Sequence, residues 1–136
     1  MRKPGLHDLV GVQVAMSRMH AWTPERSLAV VDDLYQMGII TYPRTQSTGV
    51  DVHALRQAQD TIVLLRSAGH DIHPDSDARV LLTVQPEHPG VTFYEIPGIM
   101  PIAELPPRGG QPHGEDRRRA YDEIVAQFVH AIAPAT

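Results

Sequence analysis

The chain has 136 residues, a formal net charge of -4 at pH 7 and no cysteine. A chain of this length can bury one hydrophobic core, so we expect residues 1–136 to form a single domain, stabilised by packing without disulfide bonds or thiolate metal sites. Free-standing nucleic-acid-binding domains are usually basic, so the acidic balance argues against that class and limits any DNA contact to a local surface.

The N-terminal residues are expected to lie outside any membrane. A transmembrane helix needs roughly 20 consecutive apolar residues, and a secretion signal needs an apolar stretch of roughly 7–15 residues. The full sequence has no run of about 18 or more apolar residues, and MRKPGLHDLV at residues 1–10 lacks the shorter apolar stretch of a secretion signal. We therefore expect a soluble, cytoplasmic protein that has no membrane partner.

The first two predicted helices differ in how clearly the sequence marks their ends. Apolar residues recur at helical spacing over residues 6–19, although Gly11 weakens this helix. For the second helix, Thr23 suits the N-cap, Pro24 suits the first helical position, and Gly38 suits the left-handed residue that ends a helix. The predicted apolar stripe of this second helix consists of Leu28, Val31, Leu34 and Tyr35.

The residues that follow Gly38 favour an extended backbone. Residues 39–42 have the sequence Ile-Ile-Thr-Tyr, and β-branched and aromatic side chains are enriched in strands. Pro43 restricts Tyr42 further toward the β region. The sequence therefore predicts a strand over residues 39–42, directly after the second helix.

The remaining sequence predicts two further helices separated by long connections. Helical spacing recurs over residues 51–68, with Asp51 or Thr48 at the N-terminal cap, and again over residues 115–132. Residues 69–114 are rich in Pro, Gly, His and Asp, so we expect only a short helix and a short strand there. The apolar patches of that region are residues 78–84 and 91–96. The predicted fold class is mainly α with a small β component.

Tyr42 and Arg44 form the most informative pair of side chains in the sequence. In an extended strand, side chains two residues apart point to the same face, so we expect the phenol and the guanidinium to lie side by side. A guanidinium binds phosphate oxygens, and a neighbouring cation lowers the cost of forming a phenolate nucleophile. The nearby hydroxyl residues, which can bond backbone phosphates, are Thr41, Thr45, Ser47 and Thr48.

Taken alone, the Tyr-x-Arg pattern is weak, because a tyrosine at the end of a strand is more often half-buried with its hydroxyl in water. The wider sequence strengthens it. Residues 23–47, TPERSLAVVDDLYQMGIITYPRTQS, resemble the active-site segment of type IA DNA topoisomerases, in which a helix ending in Leu-Tyr is followed by Gly and by Ile-Thr-Tyr-Pro-Arg-Thr. Residues 6–15 and 115–134 resemble helices that flank this segment in the family, whereas residues 70–112 match poorly. The resemblance implies the tyrosine-bearing central domain of that family, with a winged-helix or helix-turn-helix-like arrangement.

The resemblance also implies a reaction and the residues that perform it. In that family a tyrosine cleaves single-stranded DNA through a 5′-phosphotyrosyl intermediate, and the strand is then religated. By position, Tyr42 corresponds to the nucleophile and Arg44 to the residue that holds the scissile phosphate. Thr45, Gln46 and Ser47 correspond to positions beside the DNA backbone.

Further partners implied by the resemblance lie outside this chain. Family members bind Mg²⁺ in a separate domain of clustered acidic residues, and we expect no metal site in this chain. The expected partners are single-stranded DNA and the remaining domains of a parent topoisomerase. Cleavage by this chain alone is expected to be very slow.

Two positions depart from the family pattern. The family has Asp where this chain has Gln46, and a family histidine expected near residues 96–102 is absent from the sequence IPGIMPI. Two alternative functions therefore stay open: a non-catalytic winged-helix DNA-binding module, and a protein-interaction domain that has lost its chemistry.

Two other polar clusters are interpreted as structural. Asp75 and Asp77 form an Asp-Ser-Asp sequence that suits loop capping, and the adjacent His70 and His73 lack the spacing of metal ligands on a helix face. The arginine run at residues 117–119 is flanked by acidic residues, so we expect mutual pairing on an exposed helix face.

Overall fold

The structure is a computed structural model that describes residues 5–82, 96–106 and 114–134. Most of these residues belong to the four helices α1 (Leu9–His20), α2 (Pro24–Gln36), α3 (Val52–Ser67) and α4 (Gly114–Ile132). A short 3-10 helix, Ala78–Leu81, lies between α3 and α4 in the chain. Within the described ranges, β structure is limited to isolated bridges. The predicted fold class, mainly α with a small β component, is confirmed.

Side-chain caps determine where α2 and α3 begin. The Thr23 hydroxyl accepts a hydrogen bond from Arg26 N at 3.2 Å, and the Asp51 carboxylate accepts one from Ala54 N at 2.9 Å. Gly38 follows α2 with a φ of 76°, which is the left-handed conformation that glycine favours. These three sequence predictions are confirmed.

Helix α1 begins three residues later than predicted. Asp8 caps it by accepting a hydrogen bond from Gly11 N at 2.7 Å, so the first helical residue is Leu9. Leu6 lies outside the helix and donates its backbone N–H to Thr48 O at 2.8 Å. The segment before α1 is thereby joined to the loop before α3.

The hydrophobic core lies where α1, α2 and α4 pack against one another, and the 3-10 helix connects α3 to α4. The largest fully buried side chains of the three packed helices are Val12, Met16, Val31, Leu34, Ile124, Phe128 and Ile132. Tyr35, which the helical spacing places in the apolar stripe of α2, is 39% exposed. The stripe therefore ends at Leu34, and the ring of Tyr35 lies on the outer surface of α2.

The predicted strand over residues 39–42 does not form. Within this stretch Ile40 alone pairs, in an antiparallel bridge with Pro101. The two backbone bonds of this bridge flank the pair: Thr41 N donates to Met100 O at 3.0 Å, and Ile102 N donates to Ile39 O at 2.8 Å. They hold the two segments together without making a sheet.

The poorly matched central region is described only in part. The short helix predicted there is present as the 3-10 helix. The short strand predicted for this region has no counterpart among its described residues, and the apolar patch at residues 91–96 lies, except for its last residue, outside them. Across the described ranges, no helix is both long enough and apolar enough to cross a membrane.

Candidate active site

The loop between α2 and α3 carries all the predicted site residues and is anchored to residues 96–103, which we call the facing segment. The first anchor is Thr41, whose hydroxyl donates to Gly98 O at 3.1 Å and accepts from Met100 N at 3.0 Å. The backbone N–H of Thr41 also donates to Met100 O at 3.0 Å. The residue directly before Tyr42 is therefore fixed by three hydrogen bonds.

The second anchor is Thr45, which is only 6% exposed. Its hydroxyl donates to Ile96 O at 3.2 Å and accepts from Ser47 N at 3.0 Å, and its carbonyl accepts from Leu9 N at 3.2 Å. The hydroxyl is thus used inside the protein and does not face solvent. Residues 42–44 lie between these two fixed positions.

Exposure alternates from one residue to the next in this loop. The exposed residues are Tyr42, Arg44 and Gln46, and the buried residues between them are Pro43 and Thr45. The backbone is nevertheless not extended here, because Thr45 N donates to Pro43 O at 2.9 Å and closes a tight turn around Arg44. The sequence therefore predicted the exposure of Tyr42 and Arg44, but not the turn that separates them.

The Tyr42 side chain is open to solvent and is held along one edge. The residue is 38% exposed. Its ring meets the ring of Tyr35 with centroids 5.2 Å apart and planes at 70°, which is the edge-to-face arrangement that aromatic pairs favour. Among the described residues, the Tyr42 hydroxyl has no hydrogen-bond partner.

Arg44 extends over α2 and forms an ion pair there. Its Nη2 lies 3.1 Å from Oδ2 of Asp32, and the two side chains are 53% and 35% exposed. Asp32 and Tyr35 are three residues apart on α2, so they are neighbours on one face of the helix. The same helix face thus contacts Arg44 through Asp32 and Tyr42 through Tyr35.

The three residues that were predicted beside the DNA backbone differ in their surroundings. The Thr45 side chain is buried and bonded within the protein. Ser47 builds a local turn, because its hydroxyl donates to Gly49 O at 3.1 Å and accepts from Gly49 N at 3.2 Å. Gln46 is exposed. Of the three, Gln46 is the one that shares the exposure of Tyr42 and Arg44.

The facing segment occupies the region where a family histidine was expected, and it contains no histidine. It packs closely against the loop: Gly98 N donates to Gly49 O at 2.9 Å. A Cβ added at Gly98 would lie 2.8 Å from Leu6 Cβ and 3.1 Å from Ser47 O, so a side chain does not fit there. This segment supports the loop through its backbone.

The other polar clusters have structural roles. Asp77 caps the 3-10 helix by accepting from Arg79 N at 2.9 Å, and its side-chain hydrogen bond with Arg79 lowers the pKa of the Asp77 carboxyl. The ion-pair partners of arginines 117–119 are, in order, Asp33, Asp122 and Glu115. Within the described part of the chain, no group of three or more His, Asp or Glu side chains could hold a metal ion.

Asp32 and Tyr35 are two residues of this site that the sequence patterns did not assign to it. Both lie on α2, and their spacing of three residues was the available signal. The contacts themselves depend on the path of the loop after Gly38, which is set by hydrogen bonds to the facing segment. That long-range pairing cannot be derived from the local sequence.

Comparison with known proteins identifies the family. A family model described as DNA topoisomerase matches residues 1–136. DNA topoisomerase 3-beta of Oryza sativa subsp. japonica is 29% identical over an aligned length of 136 residues, and the match covers 98% of this chain. The chain spans 14% of the length of that relative. Because the family model matches the chain from its first residue to its last, the chain belongs to the DNA topoisomerase family.

Proposed function

We propose that this chain is the tyrosine-bearing part of a type IA DNA topoisomerase, which cleaves and religates single-stranded DNA. Tyr42 is the nucleophile and Arg44 binds the scissile phosphate. The observation that carries this proposal is the loop geometry: both side chains are exposed between the anchors Thr41 and Thr45, and both contact the same face of α2. Membership of the DNA topoisomerase family supports the same function.

The proposed reaction is a transesterification that conserves the number of phosphodiester bonds. The Tyr42 hydroxyl oxygen attacks the phosphorus, a bond forms between them, and the bond from phosphorus to the 3′-oxygen of the preceding nucleotide breaks. The proton lost by the phenol is balanced by the proton gained by the leaving 3′-hydroxyl. Religation is the reverse reaction, in which the 3′-hydroxyl attacks the 5′-phosphotyrosyl bond.

Arg44 stabilises this reaction electrostatically. Forming a free phenolate at neutral pH costs about 4 kcal/mol, so a phenol needs a cation nearby to act as a nucleophile. The guanidinium of Arg44 binds the phosphate oxygens and offsets the charge that develops on them. Its ion pair with Asp32 engages Nη2. Among the described residues, the remaining nitrogens of this guanidinium have no partner, so they are open to a phosphate.

The residues around this pair have supporting roles. Gln46, exposed beside Arg44, donates its amide hydrogens to the DNA backbone. The hydroxyl groups of Thr45 and Ser47 stabilise the loop through internal hydrogen bonds. In this proposal the backbone of these two residues, and not their side chains, lies beside the DNA. This assignment differs from the sequence-based expectation that all three side chains touch DNA.

In this proposal Mg²⁺ binds to another part of the parent enzyme. The described residues offer no cluster of acidic or histidine side chains that fits a metal ion, so no step is assigned to a metal on this chain. We place residues 1–136 as one domain of a longer protein. The chain spans only 14% of the length of its topoisomerase relative, which supports this placement. The isolated chain is then expected to cleave DNA very slowly, because the remaining catalytic groups are missing.

The experiment is trapping of the covalent intermediate with the full-length parent protein and end-labelled single-stranded DNA. Denaturation in SDS is expected to leave a protein–DNA adduct. A 3′-end label should remain with the protein and a 5′-end label should not, because the tyrosine is joined to the 5′-phosphate of the downstream fragment. Tyr42→Phe should abolish the adduct. Tight binding to duplex DNA with no adduct would instead support the non-catalytic winged-helix alternative.

A further inference from the structure

We infer that Asp32 is a positioning residue that holds the guanidinium of Arg44 beside Tyr42. This inference rests on the proposed function, because it concerns the site at which that reaction takes place. It adds to the site a carboxylate from α2, outside the loop that carries the tyrosine and the arginine.

The geometry of α2 is the first argument. Asp32 Oδ2 bonds Arg44 Nη2 at 3.1 Å, and Tyr35, three residues further along the same helix face, contacts the ring of Tyr42 at 5.2 Å between centroids. One rigid helix therefore contacts both reactive side chains. A helix that packs in the core positions a contacting side chain more precisely than a loop that no strand ladder supports.

The nature of the ion pair is the second argument. Both partners are substantially exposed, at 53% for Arg44 and 35% for Asp32, and exposed ion pairs contribute little to stability. A long arginine side chain, however, loses considerable rotamer freedom when it binds a phosphate. Because Asp32 engages Nη2 alone, it restricts the side chain and leaves the other donors for the substrate.

The charge pattern of the loop is the third argument. Gln46, two residues from Arg44, is exposed and carries a neutral amide, which cannot form an ion pair with a guanidinium. Among the described residues, the charged group that contacts Arg44 comes from Asp32.

The chain offers a matched control for this inference. Asp33 is the next residue on α2, and it pairs with Arg117 of α4 at 3.5 Å. Asp32→Asn and Asp33→Asn change the net charge of the protein equally, so both alter long-range repulsion of DNA to the same extent. Only Asp32→Asn removes the partner of Arg44.

The experiment measures two quantities separately in the full-length parent protein: the affinity for a single-stranded oligonucleotide, and the rate of adduct formation when that oligonucleotide is saturating. For Asp32→Asn we expect the rate to fall by about tenfold or more, because misplacement of a phosphate-binding group disturbs the reacting geometry. The affinity should change by the same small factor as in Asp33→Asn. Asp33→Asn should retain the wild-type rate.

Rescue variants test whether the carboxylate itself is required. Asp32→Glu should recover most of the rate. The double variant Asp32→Asn with Gln46→Asp should also recover rate, because it places a carboxylate at an exposed position two residues from Arg44. A merely structural role of Asp32 would not predict rescue from position 46.

Two results would overturn the inference. One is equal adduct rates in Asp32→Asn and Asp33→Asn. The other is tighter DNA binding together with faster adduct formation in Asp32→Asn, which would mean that Asp32 competes with phosphate for Arg44. In either case an adduct that Tyr42→Phe abolishes would leave the proposed function intact, whereas an adduct that persists in Tyr42→Phe would overturn the function itself.

Discussion

The ring of Tyr42 packs edge-to-face on the ring of Tyr35, with centroids 5.2 Å apart and planes at 70°. Both rings are more than one-third exposed, so this contact orients the Tyr42 side chain without burying it. Together with the ion pair between Asp32 and Arg44, it relates the predicted nucleophile and the predicted phosphate-binding residue to one face of α2.

The first prediction concerns Tyr35. Tyr35→Ala should slow adduct formation by about twofold to tenfold, because an aromatic pair contributes about 0.5–1.5 kcal/mol beyond its buried area. Tyr35→Phe keeps the ring and should remain close to wild type. The measurement is the single-turnover rate of adduct formation, with thermal melting of each variant as a check on folding. Equal rates in Tyr35→Ala and the wild type would show that the ring contact does not orient Tyr42.

The second prediction concerns the shape of the Arg44 side chain. Arg44→Lys keeps the charge but loses the planar fork of donors, so the adduct rate should fall by about tenfold to a hundredfold, the range expected when charge-assisted hydrogen bonds are lost. The control is Arg26→Lys, because Arg26 already pairs with Asp116 at 2.9 Å. A wild-type adduct rate in Arg44→Lys would mean that Arg44 acts as a simple positive charge.

The third prediction concerns the anchor at Thr45. Thr45→Val keeps the shape of the side chain but leaves Ile96 O and Ser47 N without their partner, so the free energy of unfolding should fall by about 1–3 kcal/mol. Gln46→Ala, one residue further along, removes an exposed side chain and should change that free energy by no more than about 0.5 kcal/mol. Urea denaturation measures both. If Thr45→Val unfolds at the wild-type urea concentration, the anchor does not stabilise the loop.

The fourth prediction concerns Tyr121 of α4, whose hydroxyl donates to Ala103 O in the facing segment at 3.0 Å. Burial raises the pKa of Tyr121 above its ordinary value of 10.0, and the charge of Glu104 raises it further. The folded state therefore holds this proton more tightly than the unfolded state. The resulting stability is complete below the unfolded pKa and is lost as the pH rises through the folded value.

Alkaline titration of the phenolate absorbance, followed in the wild type and in Tyr121→Phe, measures this effect. The difference between the two titration curves should show that Tyr121 ionises at a higher pH than a free tyrosine. Thermal melting over the same pH range should show that the wild type loses more stability than Tyr121→Phe. A Tyr121 transition at the ordinary value would contradict the expected effect of burial.

The sequence predicted the helices well where local chemistry determines them. Thr23, Pro24 and Gly38 define the ends of α2, and Asp51 defines the start of α3, because caps and left-handed glycines act within one turn of the chain. The start of α1 was predicted too early, because the N-cap Asp8, although a local signal, was not recognised in the sequence.

The loop after α2 could be predicted in its exposure pattern but not in its structure. Tyr42 and Arg44 are exposed as expected, but the backbone between Pro43 and Thr45 turns, because Thr45 N donates to Pro43 O at 2.9 Å. The one bridge in residues 39–42 depends on Pro101, and the burial of Thr45 depends on Ile96. Both partners are more than 50 residues away along the chain, so no local pattern reveals them.

The most direct test of the central claim is peptide mapping of the trapped protein–DNA adduct by mass spectrometry. The full-length parent protein is treated with single-stranded DNA, denatured, and digested with protease and nuclease. The digest should contain a peptide in which Tyr42 is joined to the 5′-phosphate of a nucleotide. The neighbouring Tyr35 should be unmodified in the same digest. A nucleotide attached to Tyr35 or to any residue other than Tyr42 would contradict the account.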